Sequence, residues 1–160
     1  MKKYVQFFEG FYVKCQIILA VFCLAVSCTT SRTVVSEKVN LEKYEYVSII
    51  NNDTYHIPAE LMEYEIQLFD AVEASGMRLV SDWRIPGLTS QEQDKLLIVK
   101  YGVTSLPEET IVTVNFIDYL TGRPVASCRG ASSSLGISHS ADMKGAIKNV
   151  ARQISETFKK

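Results

Sequence analysis

Two clusters in this 160-residue chain hold side chains able to do chemistry. One is Cys28 in LAVSCTTS, Leu24 to Ser31; the other is the run of serines with a histidine in GASSSLGISHS, Gly130 to Ser140. A serine becomes a nucleophile only when a base takes its proton and a strained strand-to-helix turn exposes it, the G-x-S-x-G pattern. Here Ser134 has Gly136 two positions later, but Ser132 stands where the first glycine belongs. His139 is too near along the chain for spacing to decide anything, and the other histidine, His56, lies far away. The segment therefore reads as a flexible strand-to-helix linker with Ser138 and Ser140 as helix caps. A serine hydrolase using Ser132, Ser133 or Ser134 with a histidine is the alternative. His56 and His139, with Asp53 or Asp142, lack the close helical spacing of a metal site. No metal or other cofactor is expected. The carboxylates Asp82, Asp94 and Asp118 fall at strand ends or turns, where caps and turn bonds use them more often than acid-base chemistry does.

Cys28 follows a different pattern. Lys2, Lys3 and Lys14 precede the uncharged run IILAVFCLAV, Ile17 to Val26. About ten apolar residues are too few to cross a bilayer, which takes roughly twenty. A basic start, a short apolar segment and small residues at its end describe an export signal, residues 1–27. Ala25-Val26-Ser27 would suit an ordinary signal peptidase, whereas Leu24 to Cys28 resembles a bacterial lipobox, with Ala25 where leucine is usual. In a lipobox the cysteine is diacylated and becomes the new N-terminus. Each buried acyl carbon is worth about 0.8 kcal/mol, so two or more chains hold a protein stably on a membrane. The polar stretch after Cys28, TTSRTVVSEKVN, reads as a tether over residues 28–43.

Cleavage there leaves about 133 residues, and a single domain over residues 44–160 is long enough to bury a core. Cys15 and Cys23 depart with the leader and Cys28 is consumed as a thioether, so Cys128 is the last free thiol. Stability must then come from packing and not from disulfides. The formal net charge of −1 becomes about −3 once the leader is gone. No clustered basic excess marks a nucleic-acid footprint.

The elements that position these residues are legible by periodicity. KYEYVSII, Lys43 to Ile50, is a strand rich in β-branched and aromatic residues. Pro58 starts a helix that Gly76 ends, with Leu61, Tyr64, Leu68 and Val72 on one face and Met62, Ile66 and Phe69 beside them. MRLVSDW is a second strand, RIPGLTSQEQD a long polar loop, and KLLIVKYG a third strand covered on both sides or at the sheet centre. TIVTVNFIDY and PVASCRGA form a hairpin through Gly122. A last helix from Ser140 carries Met143, Ile147, Val150, Ile154 and Phe158 as its apolar stripe, with Lys144, Lys148 and Arg152 opposite. The order β-α-β-β-β-β-α predicts an α+β fold, a five-stranded mixed sheet with two amphipathic helices packed on one face.

A lipobox, a strand and amphipathic helix, a strand after Gly76, a D-x-x-T-G hairpin at Asp118 to Gly122, and A-I-x-x-V at Ala146 to Val150 together resemble a group of small bacterial envelope lipoproteins of unknown function. That group is similar in topology to the N-terminal domain of TolB and to lipoprotein activators of cell-wall synthases. The resemblance implies a binding or assembly role in the envelope. It transfers no functional residue.

Surface candidates come from composition. Trp83, Arg84, Ile85 and Leu88 combine an aromatic, a guanidinium and apolar groups on one loop, the makeup of an interaction hot spot, although Trp83 could equally insert into the core. Lys144, Lys148 and Arg152 could meet anionic headgroups or cell-wall carboxylates, but read first as a solvated face pairing with the acidic helix. The expectation is a non-catalytic, lipid-anchored binding module of the outer membrane, facing the periplasm. It would contact an envelope protein or cell-wall glycan through the Trp83 loop or a free sheet edge, by strand addition in the latter case.

Overall fold

The computed structural model describes residues 31–50, 59–133 and 138–159. The leader, Cys28, His56 and Ser134 lie outside these residues. In chain order come β1 (Arg32–Val35), a 3-10 turn (Leu41–Lys43), β2 (Tyr46–Ile49), α1 (Ala59–Ala74) and β3 (Arg78–Leu79). A second 3-10 turn (Asp82–Gly87), α2 (Ser90–Asp94), β4 (Leu96–Ser105), β5 (Thr110–Asp118), β6 (Pro124–Ser132) and α3 (His139–Thr157) complete the chain. The strands form one mixed sheet in the order β1-β6-β5-β4-β2-β3, with β2 parallel to β3 and β4 and all other neighbours antiparallel.

Period-two patterning explains the centre of this sheet. On β5 the side chains of Val112, Val114 and Phe116 are buried while Thr113 and Asn115 between them are partly exposed, because alternate residues point to opposite faces. The buried set meets α3, whose Met143, Ile147, Val150 and Ile154 are buried at helical spacing. Phe158 follows, its ring 4.4 Å from that of Phe116. From α1, Leu68 and Val72 join the same core, while Met62 and Ile66 stay exposed. The opposite charges of α1 and α3 meet in a long contact, Lys144 to Glu63 at 3.9 Å, with both side chains in solvent. Such a pair contributes little.

Two glycines set how closely α3 lies on the sheet. A β-carbon at Gly130 would land on the backbone of Ala146 and Val150, and one at Gly145 would land on the Ser132 hydroxyl. The helix backbone therefore rests directly on β6. Asn149 fastens the contact by donating from Nδ2 to the Ala131 carbonyl at 2.8 Å.

β4 is covered on both sides, as its four successive apolar residues predict. Leu97 and Val99 belong to the helix-side core; Leu96 and Ile98 face the other way, against Ile85, with Tyr46, Val80, Leu88 and Ile117 around them. The loop after β3 is thus a lid on the second face of the sheet.

Three expectations need correction. The sheet has six strands and not five, because Arg32–Val35, inside the segment read as tether, pairs antiparallel with β6 from Arg32↔Arg129 to Val35↔Ala126. Four residues flanked by polar ones give too weak a local signal; what makes them a strand is the otherwise open edge of β6. The second predicted strand shrinks to Arg78–Leu79, since the chain turns into the 3-10 segment at Asp82. The last helix starts at His139, with Ser138 and not Ser140 as its cap, its hydroxyl accepting from the Ala141 amide at 3.1 Å.

Replacing Gly130 by alanine should lower the stability of the domain by about 1–3 kcal/mol, the usual cost of forcing atoms into a filled contact. Gly102→Ala, where a β-carbon meets nothing within 4 Å, should cost little. Urea unfolding of the two variants checks this; equal midpoints would contradict the close helix-sheet approach.

Candidate functional site

The serine cluster does not assemble a catalytic constellation among the described residues. Ser132 is on the helix side of β6 with its hydroxyl over Gly145, while Ser133 is exposed. His139 turns instead toward Ser105, Nε2 lying 3.5 Å from that hydroxyl at an exposed position. No hydrogen bond joins His139 to Ser132 or Ser133, so neither has a base there; Ser134 and His56 lie outside the described residues. Among the described residues no group of three His, Cys, Asp or Glu side chains is arranged to hold a metal ion.

Cys128 lies on the helix side of β6, fully buried, with Thr33 Oγ1 at 3.8 Å and Thr157 Oγ1 at 3.9 Å. Burial raises its pKa, which keeps it a thiol and makes it a poor nucleophile.

The loop around Trp83 divides its four candidate residues between two tasks. Ile85 is buried and Leu88 half-buried against Leu96 and Ile98, so both fasten the loop to the sheet. Trp83 is 71% exposed, and the Arg84 guanidinium stands 4.9 Å from the centre of its ring. These two are the outward-facing pair. Their support is ordered in detail. The Asp82 carboxylate accepts from the Trp83 amide at 2.8 Å, and Gln93 Nε2 donates to the Leu88 carbonyl at 3.2 Å. Thr89 and Glu92 close a capping box on α2, the Glu92 carboxylate accepting from the Thr89 amide and hydroxyl, each at 2.8 Å. Those bonds, the backbone one foremost, hold the Glu92 carboxyl below its ordinary range. The alternative of Trp83 as a core residue is not what the structure contains.

A concave feature lies at the end of the sheet where β5 turns into β6. It is a groove of about 560 Å³ walled by Lys38, Asn40, Thr121 and Arg123, with Lys43, Tyr44 and Asp118 beneath. Asp118 is 6% exposed and fully occupied. One carboxylate oxygen accepts from the Thr121 amide and hydroxyl, each at 2.8 Å, which shapes the turn whose Gly122 has φ 67°. The other accepts from the Tyr44 hydroxyl at 2.8 Å and from Lys43 Nζ at 3.3 Å. Burial by itself would raise the Asp118 pKa, but these donors outweigh it and hold the group at about 2. Tyr44 is driven the other way by its own burial and by the carboxylate beside it, so it remains a neutral donor.

The turn role of Asp118 follows from D-x-x-T-G, but its bonds to Lys43 and Tyr44 join positions 75 and 74 residues apart. No local pattern announces them. Of the other candidate carboxylates, Asp94 makes a long, exposed contact with Lys43 at 3.5 Å. Lys148 and Arg152 project from α3 into solvent. Among the described residues the sheet ends at β1 on one side and at the two-residue β3 on the other.

No protein-family profile and no curated protein matches this chain. Solved structures of similar fold include a PelC dodecamer from Paraburkholderia phytofirmans in two crystal forms. One superposes with a TM-score of 0.54 at 16% identity, covering 82% of this chain and 98% of the PelC chain. The other gives 0.51 at 17% identity, covering 82% and 99%. A PDZ domain protein from Parabacteroides distasonis aligns at 11% identity and a TM-score of 0.49, over 88% of this chain and 39% of its own. At such identities what this chain shares with PelC is the fold.

The Asp118 cluster fixes an acid limit to stability. Its folded pKa of about 2 lies below the ordinary value near 4, so the stabilisation is complete above pH 4 and disappears as pH falls from about 4 to about 2. The amount at stake is on the order of 2 kcal/mol. Asp118→Asn should remove that part of the acid sensitivity while lowering stability at neutral pH. Unfolding free energies measured from pH 7 to pH 2 test it, and parallel curves for the two proteins would refute it.

Proposed function

We propose that the protein is a lipid-anchored binding module of the bacterial cell envelope. Acyl chains on Cys28 hold it at the periplasmic face of the outer membrane, and Trp83 with Arg84 contacts a protein or glycan partner. In this reading it binds and does not catalyse. The observation that carries the reading is Trp83, left in water on a loop that is otherwise fastened down. An aromatic ring buries 150–250 Å² when covered, at roughly 25 cal/mol per Å². A rigid, solvent-facing indole stacked with a guanidinium is the composition that dominates binding energy at interfaces. Because the loop is already ordered, little entropy is lost when a partner covers it. The groove beside Asp118, with Lys38 and Arg123 on its walls, offers a second place of contact suited to an anionic group.

Two variants test the two halves of the proposal. Trp83→Ala should weaken capture of envelope partners by about tenfold or more while leaving the unfolding midpoint unchanged. Equal loss of both would assign Trp83 a structural duty. Trp83 is also the only tryptophan in the chain, so its fluorescence should shift to shorter wavelength when a partner covers it. Cys28→Ser should abolish incorporation of labelled palmitate and release the protein to the soluble fraction; continued membrane attachment would sink the anchor.

A further inference from the structure

The pairing of β1 with β6 shortens the connection between an acylated Cys28 and the folded domain. Only Thr29, Thr30 and Ser31 separate Cys28 from Arg32, whose Cα is in register with that of Arg129. A chain spans at most about 3.6 Å per residue, so Arg32 stands no more than about 14 Å from the lipid-bearing residue. The domain cannot swing on a leash of that length.

Strand direction says which end is drawn down. β1 runs antiparallel to β6, so the chain preceding Arg32 departs toward the end where β6 finishes at Ser132. At that level Ser132 pairs with Thr110 and Thr110 with Ser105, and Leu106 to Glu109 closes the β4–β5 turn. Leu106 is 48% exposed there and Val103 is exposed beside it. The Asp118 turn and its groove occupy the opposite end of the same strands.

We infer that the domain rests on the bilayer with the Leu106 turn and the start of β1 against the lipid headgroups, and that it holds the Asp118 groove away from the membrane. This rests on acylation of Cys28. Arg32 and Arg129 lie side by side on adjacent strands near this end, but Glu108 and Glu109 lie there too, with Glu109 3.9 Å from Arg129. Covalent reach therefore sets the orientation, and it holds on neutral as well as anionic lipid. Trp83 follows β3, the edge strand five spacings across the sheet from β1, or about 24 Å. The anchored edge and the exposed indole are kept apart.

Two single-tryptophan reporters in a Trp83→Phe background test the orientation. Leu106→Trp places the indole at the proposed contact; Leu120→Trp, at another exposed leucine, places it at the opposite turn. The acylated proteins are reconstituted in phosphatidylcholine vesicles carrying a nitroxide on the headgroup. The Leu106 reporter should lose half or more of its emission and the Leu120 reporter should keep nearly all of it. Equal quenching of both, on vesicles that retain the protein, overturns the orientation and leaves the anchor standing. Failure of either protein to float with vesicles overturns the anchor itself. Inserting about twelve Gly and Ser residues between Ser31 and Arg32 should erase the difference without loss of flotation, since such a linker is flexible. A difference that survives the insertion overturns the short connection as its cause.

Discussion

The backbone of α3 lies on the backbone of β6 at Gly130, and most of the architecture depends on that approach. With no side chain between them, Met143, Ile147, Val150 and Ile154 reach past β6 to Val112, Val114 and Phe116 on β5. Phe158 then closes the far end against Phe116. A larger residue at position 130 would lift the helix and open this core, because interiors are packed without voids that could absorb the change. The small residues of β6, which read as an undistinguished strand, are the seat of α3.

On the opposite face the constraint is β4. Leu96 and Ile98 would be exposed on the uncovered side of the sheet, and Ile85 and Leu88 cover them. Burying those apolar groups orders the loop from Asp82 to Asp94, and the capping box and the bonds of Asp82 and Gln93 complete it. A loop ordered for the sake of the sheet becomes a firm mount for Trp83 and Arg84. The same logic operates at the groove end, where the carboxylate that closes the hairpin turn also ties Tyr44 and Lys43 to the sheet.

Wherever one periodicity ran through many residues, sequence alone located the elements: both long helices, β2, β4, and the hairpin of β5 and β6. The apolar stripe of α3 is buried at every position from Met143 to Phe158 that periodicity names. What escaped was decided by partners distant in the chain. β1 exists because β6 has an edge to offer, and Tyr44 meets Asp118 because β2 and β5 both flank β4. For the candidate site, composition singles out the loop but could not say which of its residues are buried against the sheet and which are exposed. That division depends on which side of the sheet Ile85 faces. Ser132 and His139 are close in sequence yet turned to different neighbours, Gly145 and Ser105, which no spacing rule would disclose.

The pairing of Arg32–Val35 with β6 makes this segment part of the sheet. Ser36 is the sharpest reporter of this, because its amide donates to the Val125 carbonyl at 2.9 Å just after β1 ends, whereas the Glu37 amide beside it makes no backbone hydrogen bond among the described residues. Amide hydrogen exchange of the protein at neutral pH measures the two directly. The account predicts a Ser36 amide protected far more strongly than that of Glu37, exchanging only when β1 leaves the sheet. Equal, rapid exchange at both positions would mean that β1 is not part of the folded sheet, and would favour the reading of residues 28–43 as a tether.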